Sequence, residues 1–296
     1  MNTQSSIETT VEEYLLEREN GARGRTATVI RPPGGRPHLN LRELWSFRDL
    51  IYMLIVHELK KRYKQTVVGV TWVVFQPVLV MFILSIFFGR IAQIPSDGVP
   101  YPIFVYCALV PWSYFVHALT KSTISLVELA AVITKVYFPR LVIPISAVLA
   151  GMVDFFIASL FLFGMMVFYG IAPTAAFLTL PIFLFLTVAT ALGVGLWLSV
   201  VNVKFRDVAN VLPFLTQTWF FITPVFYPTS MIPESWRLVY GLNPMTGVVD
   251  GFRWAVLGTV SPPGLSSLIS AGMMVLLVIG GLYYFRFKED YFADEV

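Results

Sequence analysis

FFIASLFLFGMMVFYGIAPTAAFLTLPIFLFLTVATALGVGLWLSVVNV, residues 155–203, runs for 49 positions without an Asp, Glu, Lys or Arg. A helix needs ~20 apolar residues to cross a bilayer, so this stretch holds most of two spans. Four more charge-free runs flank it, at 67–89 (23 residues), 98–120 (23), 208–233 (26) and 254–285 (32). Over all 296 residues 56% are apolar and 13% are charged, about half the ~25% charge of a globular chain. That is too little charge to coat a water-facing surface, and a soluble enzyme is excluded. The pattern predicts an all-α, polytopic integral membrane protein with six spans near 67–89, 102–120, 141–169, 175–201, 208–228 and 265–285.

Orientation follows from the basic residues. With the N-terminus inside, 18 of the 21 Lys and Arg fall on inner segments, and Arg90, Arg237 and Arg253 are left outside. Dropping the long N-terminal segment still leaves seven against three, so both termini are expected on the cytoplasmic side. Residues 1–40 contain no apolar signal segment, and the first span is expected to act as the membrane signal. Their Gly/Arg/Pro-rich part, GARGRTATVIRPPGGRP, cannot bury a core and reads as a disordered tail.

Three other segments have character of their own. Residues 41–64 carry Leu44, Phe47, Ile51, Leu54 and Ile55 at helical spacing, with charges mainly opposite. They predict an amphipathic helix in the headgroup region, apolar face down, ahead of the six-span membrane body at 65–296. Residues 121–140 (KSTISLVELAAVITKVYFPR) can form an amphipathic inner helix that Pro139 stops. The outer connection 227–264 is 38 residues long and apolar for a loop. Asn243-Pro244 suits a helix start and Gly258 a stop, and 233–242 could form a shorter helix before it. Two short helices dipping into the outer leaflet would explain this composition.

The chemistry is mostly excluded. There is no G-x-x-x-x-G-K-[ST] phosphate loop, nor even one Gly-Lys pair, so the chain does not hydrolyse ATP by itself. His57-Glu58-Leu59-Lys60-Lys61 fails as a zinc-protease motif because lysine stands where the second histidine belongs, and no G-x-S-x-G occurs. Cys107 is the single cysteine, and the three histidines are scattered, so no metal site and no catalytic residue is expected. Ser113 and His117 could share a helix face, yet lack an orienting acid. Asp154, the one carboxylate within a predicted span, needs a partner or water; a proton relay would require several such groups, and a structural hydrogen bond to a neighbouring helix accounts for one. Many of the 45 aromatic residues cluster near span ends, as an interfacial belt would, or as flat walls along which a sugar polymer could slide.

A series of motifs is similar to one family in order and content: Arg62-Tyr63-Lys64-Gln65-Thr66-Val67-Val68-Gly69 followed by Trp72 and Gln76-Pro77; Gly98-Val99-Pro100-Tyr101-Pro102; Val110-Pro111-Trp112; Ile133-Thr134-Lys135-Val136-Tyr137-Phe138-Pro139-Arg140; Lys204-Phe205-Arg206-Asp207; and Leu242-Asn243-Pro244. From about residue 41 onward the chain resembles type-2 ABC exporter permeases for cell-surface polysaccharides. The resemblance implies a homodimer in a bacterial inner membrane, bound to two copies of a separate ATPase that carries the ATP and magnesium, and moving a lipid-linked O-antigen or capsule. It implies that 121–140 is the coupling helix, with Lys121, Glu128, Lys135 and Arg140 facing the ATPase. Residues 41–64 would be the interface helix and 233–258 the re-entrant pair. The first and fifth spans would line the path, placing Trp72, Phe75, Trp219, Phe220 and Phe226 against the polymer. Arg62 and Lys64 at the inner rim would meet the anionic lipid head.

The alternatives are a permease for teichoic acid or a small hydrophobic compound, an intramembrane enzyme acting on glycan lipids, and a proton-coupled carrier using Asp154. The topology itself is testable: cysteines placed at residues 97 and 135 should label from opposite sides of the membrane, and labelling from one side would overturn the assignment.

Overall fold

The computed structural model describes residues 41–63, 69–133, 138–258, 262–289 and 292. The expectations for the tail 1–40, for Lys64 and for Lys135 lie outside them. All regular structure among the described residues is helical. Five helical segments among them are long and apolar enough to cross a membrane: Thr71–Ile91, Tyr101–Glu128, Val142–Phe168, Ala175–Lys204 and Leu265–Lys288.

The chain opens with α1 (Leu41–Ser46) and α2 (Arg48–Tyr63), separated by a turn at Phe47 where one continuous helix was expected. Asp49 in the first turn of α2 and Lys60, Lys61 and Arg62 in its last complement the helix dipole. Leu44, Phe47, Leu50, Ile51 and Leu54 pack against a buried cluster that includes Leu141, Val142, Ile143, Val203 and Phe285. Part of the apolar stripe is therefore packed on the protein itself. Trp45, Tyr52 and Met53 are the exposed apolar residues of this segment.

The first span, α3 (Gly69–Leu84), continues as a π-helical turn, Ser85–Ile91, closed by the Ala92 N–H on the Phe87 carbonyl at 2.9 Å. Then α4 (Tyr101–Glu128) forms the axis of the bundle. At 28 residues it is about 42 Å long, more than the ~30 Å hydrocarbon core demands. Near its start, Ile103 to Ala108 have no exposed surface at all.

The length of α4 corrects the expected inner helix at 121–140. Nothing between Thr120 and Glu128 breaks the span. Thr120, Thr123 and Ser125 return their hydroxyls to the carbonyls of Val116, Leu119 and Ser122, each at 2.8 Å, so polar residues stay within the helix at little cost. The chain turns only at Leu129, followed by the single turn α5 (Ala130–Ile133).

Next come α6 (Val142–Ala150) and α7 (Met152–Phe168), nearly collinear across Gly151, and α8 (Leu180–Lys204) behind a 3-10 turn at Ala175–Thr179. α8 packs along α4 on one side and α12 (Leu265–Lys288) on the other. The α8–α12 contact is backbone to backbone. A Cβ on Gly193 would lie 2.9 Å from the Val278 nitrogen, and one on Gly281 would lie 2.6 Å from the Gly193 carbonyl oxygen. Only glycine permits that approach, as in small-residue packing of membrane helices.

The segment expected as a span over 208–228 is instead a 15-residue helix, α9 (Val208–Ile222), which leaves helical geometry at Thr223. At about 22 Å it is shorter than the hydrocarbon core. The reason lies 30 residues further on. α10 (Glu234–Gly241) and α11 (Pro244–Leu257) follow, with boundaries close to those the sequence predicted. The Asn243 side chain caps α11 by accepting the Met245 N–H at 3.0 Å, and Gly258 closes it at φ 66°.

From α11, Arg253 reaches into the core and is 1% exposed. Its guanidinium donates to the carbonyls of Pro224 (2.6 Å), Val225 (2.6 Å) and Tyr227 (3.4 Å), and stacks 3.7 Å over the Phe104 ring. The arginine counted as an outer-loop charge is thus buried, and it satisfies the backbone that the end of α9 leaves without helical partners.

Arg253→Leu should lower the unfolding free energy of the detergent-solubilised protein by about 3 kcal/mol, because several buried carbonyls lose their donor. Arg237→Leu, whose side chain is 41% exposed, should change it by less than about 0.5 kcal/mol. Equal losses in thermal melts would refute the clamp.

Candidate functional site

A cavity of about 660 Å³ opens between α3, α4, α7 and α9. One wall is α4, presenting Trp112, Ser113 and His117; α3 supplies Trp72, Gln76 and Pro77, and α9 supplies Thr216, Gln217 and Phe220. The periodicity of these sets explains them. Trp72 and Gln76, like Thr216 and Phe220, stand four apart and share one helix face. The walls combine flat rings and two side-chain amides with aliphatic side chains such as Val73, Val80 and Val110, and the rings give large contact area with few fixed hydrogen bonds.

The polymer-path candidates divide between this cavity and its surroundings. Trp72 and Phe220 line it. Phe75 stacks on Trp72 at 5.6 Å and is 48% exposed beside it. Trp219 points the other way: its ring meets Phe115 edge-on at 5.0 Å, and its indole N–H donates to Asn243 Oδ1 at 2.9 Å. Phe226 packs on Phe88 at 4.7 Å. Adjacent helix positions diverge by ~100°, so Trp219 and Phe220 cannot both face the void. Gln76 and Trp112 entered the sequence reading only as parts of motifs, not as path residues, and Gln217 did not enter it at all. The two glutamines are amides inside otherwise apolar runs, and that was the available signal.

One corner of the cavity is ionic. The Arg62 guanidinium donates to the Asp154 carboxylate and, at 2.9 Å, to His117 Nε2, while the Tyr63 hydroxyl donates to the other Asp154 oxygen. Asp154 is therefore bonded to a neighbouring helix, α2, and His117 is engaged by Arg62 rather than by Ser113. Lys121, Glu128 and Arg140 complete the site candidates among the described residues. Lys121 Nζ lies 2.8 Å from Glu58 and 3.9 Å from Glu128, and Lys61 Nζ lies 3.2 Å from Glu128. The backbone N–H of Arg140 donates to Glu289 at 2.9 Å, and its guanidinium stands 5.9 Å from the Phe292 ring. Lys121 and Glu128 thus bind α2, and Arg140 binds the segment that ends the last helix. Among the described residues no group of three or more His, Cys, Asp or Glu is placed to hold a metal.

Long apolar helices around an open cavity of rings and amides define a multi-pass membrane protein. The profile of ABC-2 type transporters matches residues 49–257, and the chain belongs to that family. It is 28% identical over 259 residues to the O-antigen export system permease protein RfbA of Myxococcus xanthus, covering 86% of this chain and 98% of that relative. It is 29% identical over 250 residues to the protein of that name in Klebsiella pneumoniae, covering 83% and 94%. With the polysialic acid transport protein KpsM of Escherichia coli it shares 24% over 242 residues, covering 80% and 92%.

Burial raises the pKa of Glu58, but the hydrogen bond and charge of Lys121, aided by Lys61 and His117, bring it below its ordinary 4.5. A carboxylate with a depressed folded pKa contributes stability above its unfolded value and loses it as pH falls through the folded one. Wild type should therefore lose stability as pH drops below 4.5, and Glu58→Gln should lack that component. Identical acid titrations of the two proteins would remove the ion pair from the stability of α2.

Proposed function

We propose that this chain is the membrane permease of an ATP-driven exporter of a lipid-linked cell-surface polysaccharide, of O-antigen or capsule type. The observation that carries the reading is the cavity. It is lined by aromatic and amide side chains of α3, α4 and α9, in a chain aligned over nearly the full length of relatives named for O-antigen export. Rings that stack on sugar faces without fixed registry suit a polymer that must slide.

Two copies would work together in a bacterial inner membrane. Trp72, Phe75, Phe82, Phe214 and Phe221 are exposed on α3 and α9, two of the helices that border the cavity. A second copy there would close one path from two half-cavities. Six crossings with both termini cytoplasmic would count α9 and the Arg253-held turn as the fifth, with α10 and α11 re-entering from outside. The chain lacks a phosphate loop, so force would come from a partner ATPase that binds ATP and magnesium, pressing on the segment from Lys121 to Arg140. A lipid-pyrophosphate-linked glycan would enter from the inner leaflet, its anionic head meeting Arg62 and Lys64. In this role the chain is a transport subunit, with chemistry left to the ATPase.

In a deletion strain complemented with variants, Trp72→Ala and Phe220→Ala should cut surface polysaccharide several-fold at unchanged protein level. Trp219→Ala, which breaks packing and the Asn243 hydrogen bond, should lower the protein level itself. If the first two reduced polysaccharide only in proportion to protein, the cavity would not be the path.

A further inference from the structure

The exporter reading uses the walls of the cavity but gives no task to Asp154. Arg62 and Asp154 are the charged residues of the lining, with side chains 33% and 12% exposed. Four groups from three helices meet at this corner: Arg62 and Tyr63 from the end of α2, His117 from α4 and Asp154 from α7. Both hydrogen bonds to Asp154, one from a guanidinium and one from a phenol, converge on its carboxylate. His117 Nε2, 3.9 Å from that carboxylate, accepts a further N–H from Arg62 and so fixes the guanidinium. Nearby charges are already paired, Lys121 with Glu58 and Lys61 with Glu128.

This is the donor set of an anion seat, and its occupant is a side chain of the protein. A planar arginine fork with an added hydroxyl binds phosphoryl oxygens at least as well as a carboxylate. A diphosphate also carries more negative charge than one carboxylate. The same bonds tie α2 to α7, whereas α2 otherwise packs mainly on α6.

We propose that Asp154 is an internal stand-in for a diphosphate. Arg62, Tyr63 and His117 form the seat, Asp154 fills it when no ligand is bound, and an arriving diphosphate displaces the carboxylate and unlatches α2 from α7. The proposal rests on the export reading, in which the diphosphate is the linkage between lipid and glycan; free diphosphate offers the same chemistry.

The test uses the full chain with its partner ATPase in phosphatidylcholine nanodiscs, titrated calorimetrically with inorganic pyrophosphate or, separately, a polyprenyl pyrophosphate. Removing the competing charge with Asp154→Asn should tighten binding about tenfold or more, and Arg62→Gln should abolish it. Tightening for the polyprenyl probe alone assigns the seat to a lipid head; tightening for inorganic pyrophosphate alone assigns it to the free anion. Wild-type affinity or weaker in Asp154→Asn, or no binding of either probe by wild type, overturns the seat. Should Asp154→Asn fail to fold, hydrogen exchange in wild type decides. Saturating probe should speed amide exchange in α2, and unchanged or slower exchange refutes the latch. Wild type that restores surface polysaccharide while these tests fail leaves the export reading standing; wild type that restores none overturns that reading independently.

Discussion

A guanidinium in the core holds the far end of this molecule together. Backbone that leaves helical geometry at membrane depth must find donors for its carbonyls, and water is scarce there. Arg253 supplies them to Pro224, Val225 and Tyr227 from a helix that begins twenty residues after Pro224. The arginine is tolerated because its donors are engaged and its face rests on Phe104. With this end anchored, α9 can stop short, α11 can lie among α4, α8 and α12, and Trp219 can lock onto the Asn243 cap. The cavity owes its α9 wall to that arrangement, since Phe220 faces the void where Trp219 faces Phe115 and the Asn243 cap.

At the α2 end, organisation comes from ion pairs. Glu58, Lys61 and Arg62 on one short helix engage Lys121, Glu128 and Asp154 on two others. Singly, partly exposed pairs contribute little, but three along sixteen residues fix the seat of α2 on the bundle. The helix thus reports to α4 and α7 together, and a displacement of α4 reaches the corner of the cavity through rigid contacts.

Much of the architecture was legible along the chain. Five charge-free runs gave the membrane class, and local chemistry gave the outer helices: Asn243 as cap, Pro244 in the first turn and Gly258 in the left-handed stop. These signals are local, so the sequence carries them intact. What escaped was long-range. Arg253 looks like a loop charge until its carbonyl partners, about thirty residues upstream, are known. Nothing in 121–140 announces that α4 continues to Glu128, because the absence of a breaker is a weak signal beside a lysine. Asp154 plainly needed a partner, yet Arg62 and Tyr63 lie ninety residues away. Aromatic richness pointed to a lined path but not to which of two adjacent rings would face it, a matter of helix rotation set by packing.

The glycine contact between α8 and α12 carries a mechanical implication. Helices joined backbone to backbone cannot slide without opening a void, so that pair, with α4, behaves as a stiff chassis. α3 and α9 are different: only a tenth of the first span's apolar window is buried, against 78% for α4, and α9 buries only Leu212 and Thr216. A tilt of either strut would disturb few contacts and would widen or narrow the void that both border. The molecule is therefore a fixed frame with two compliant staves.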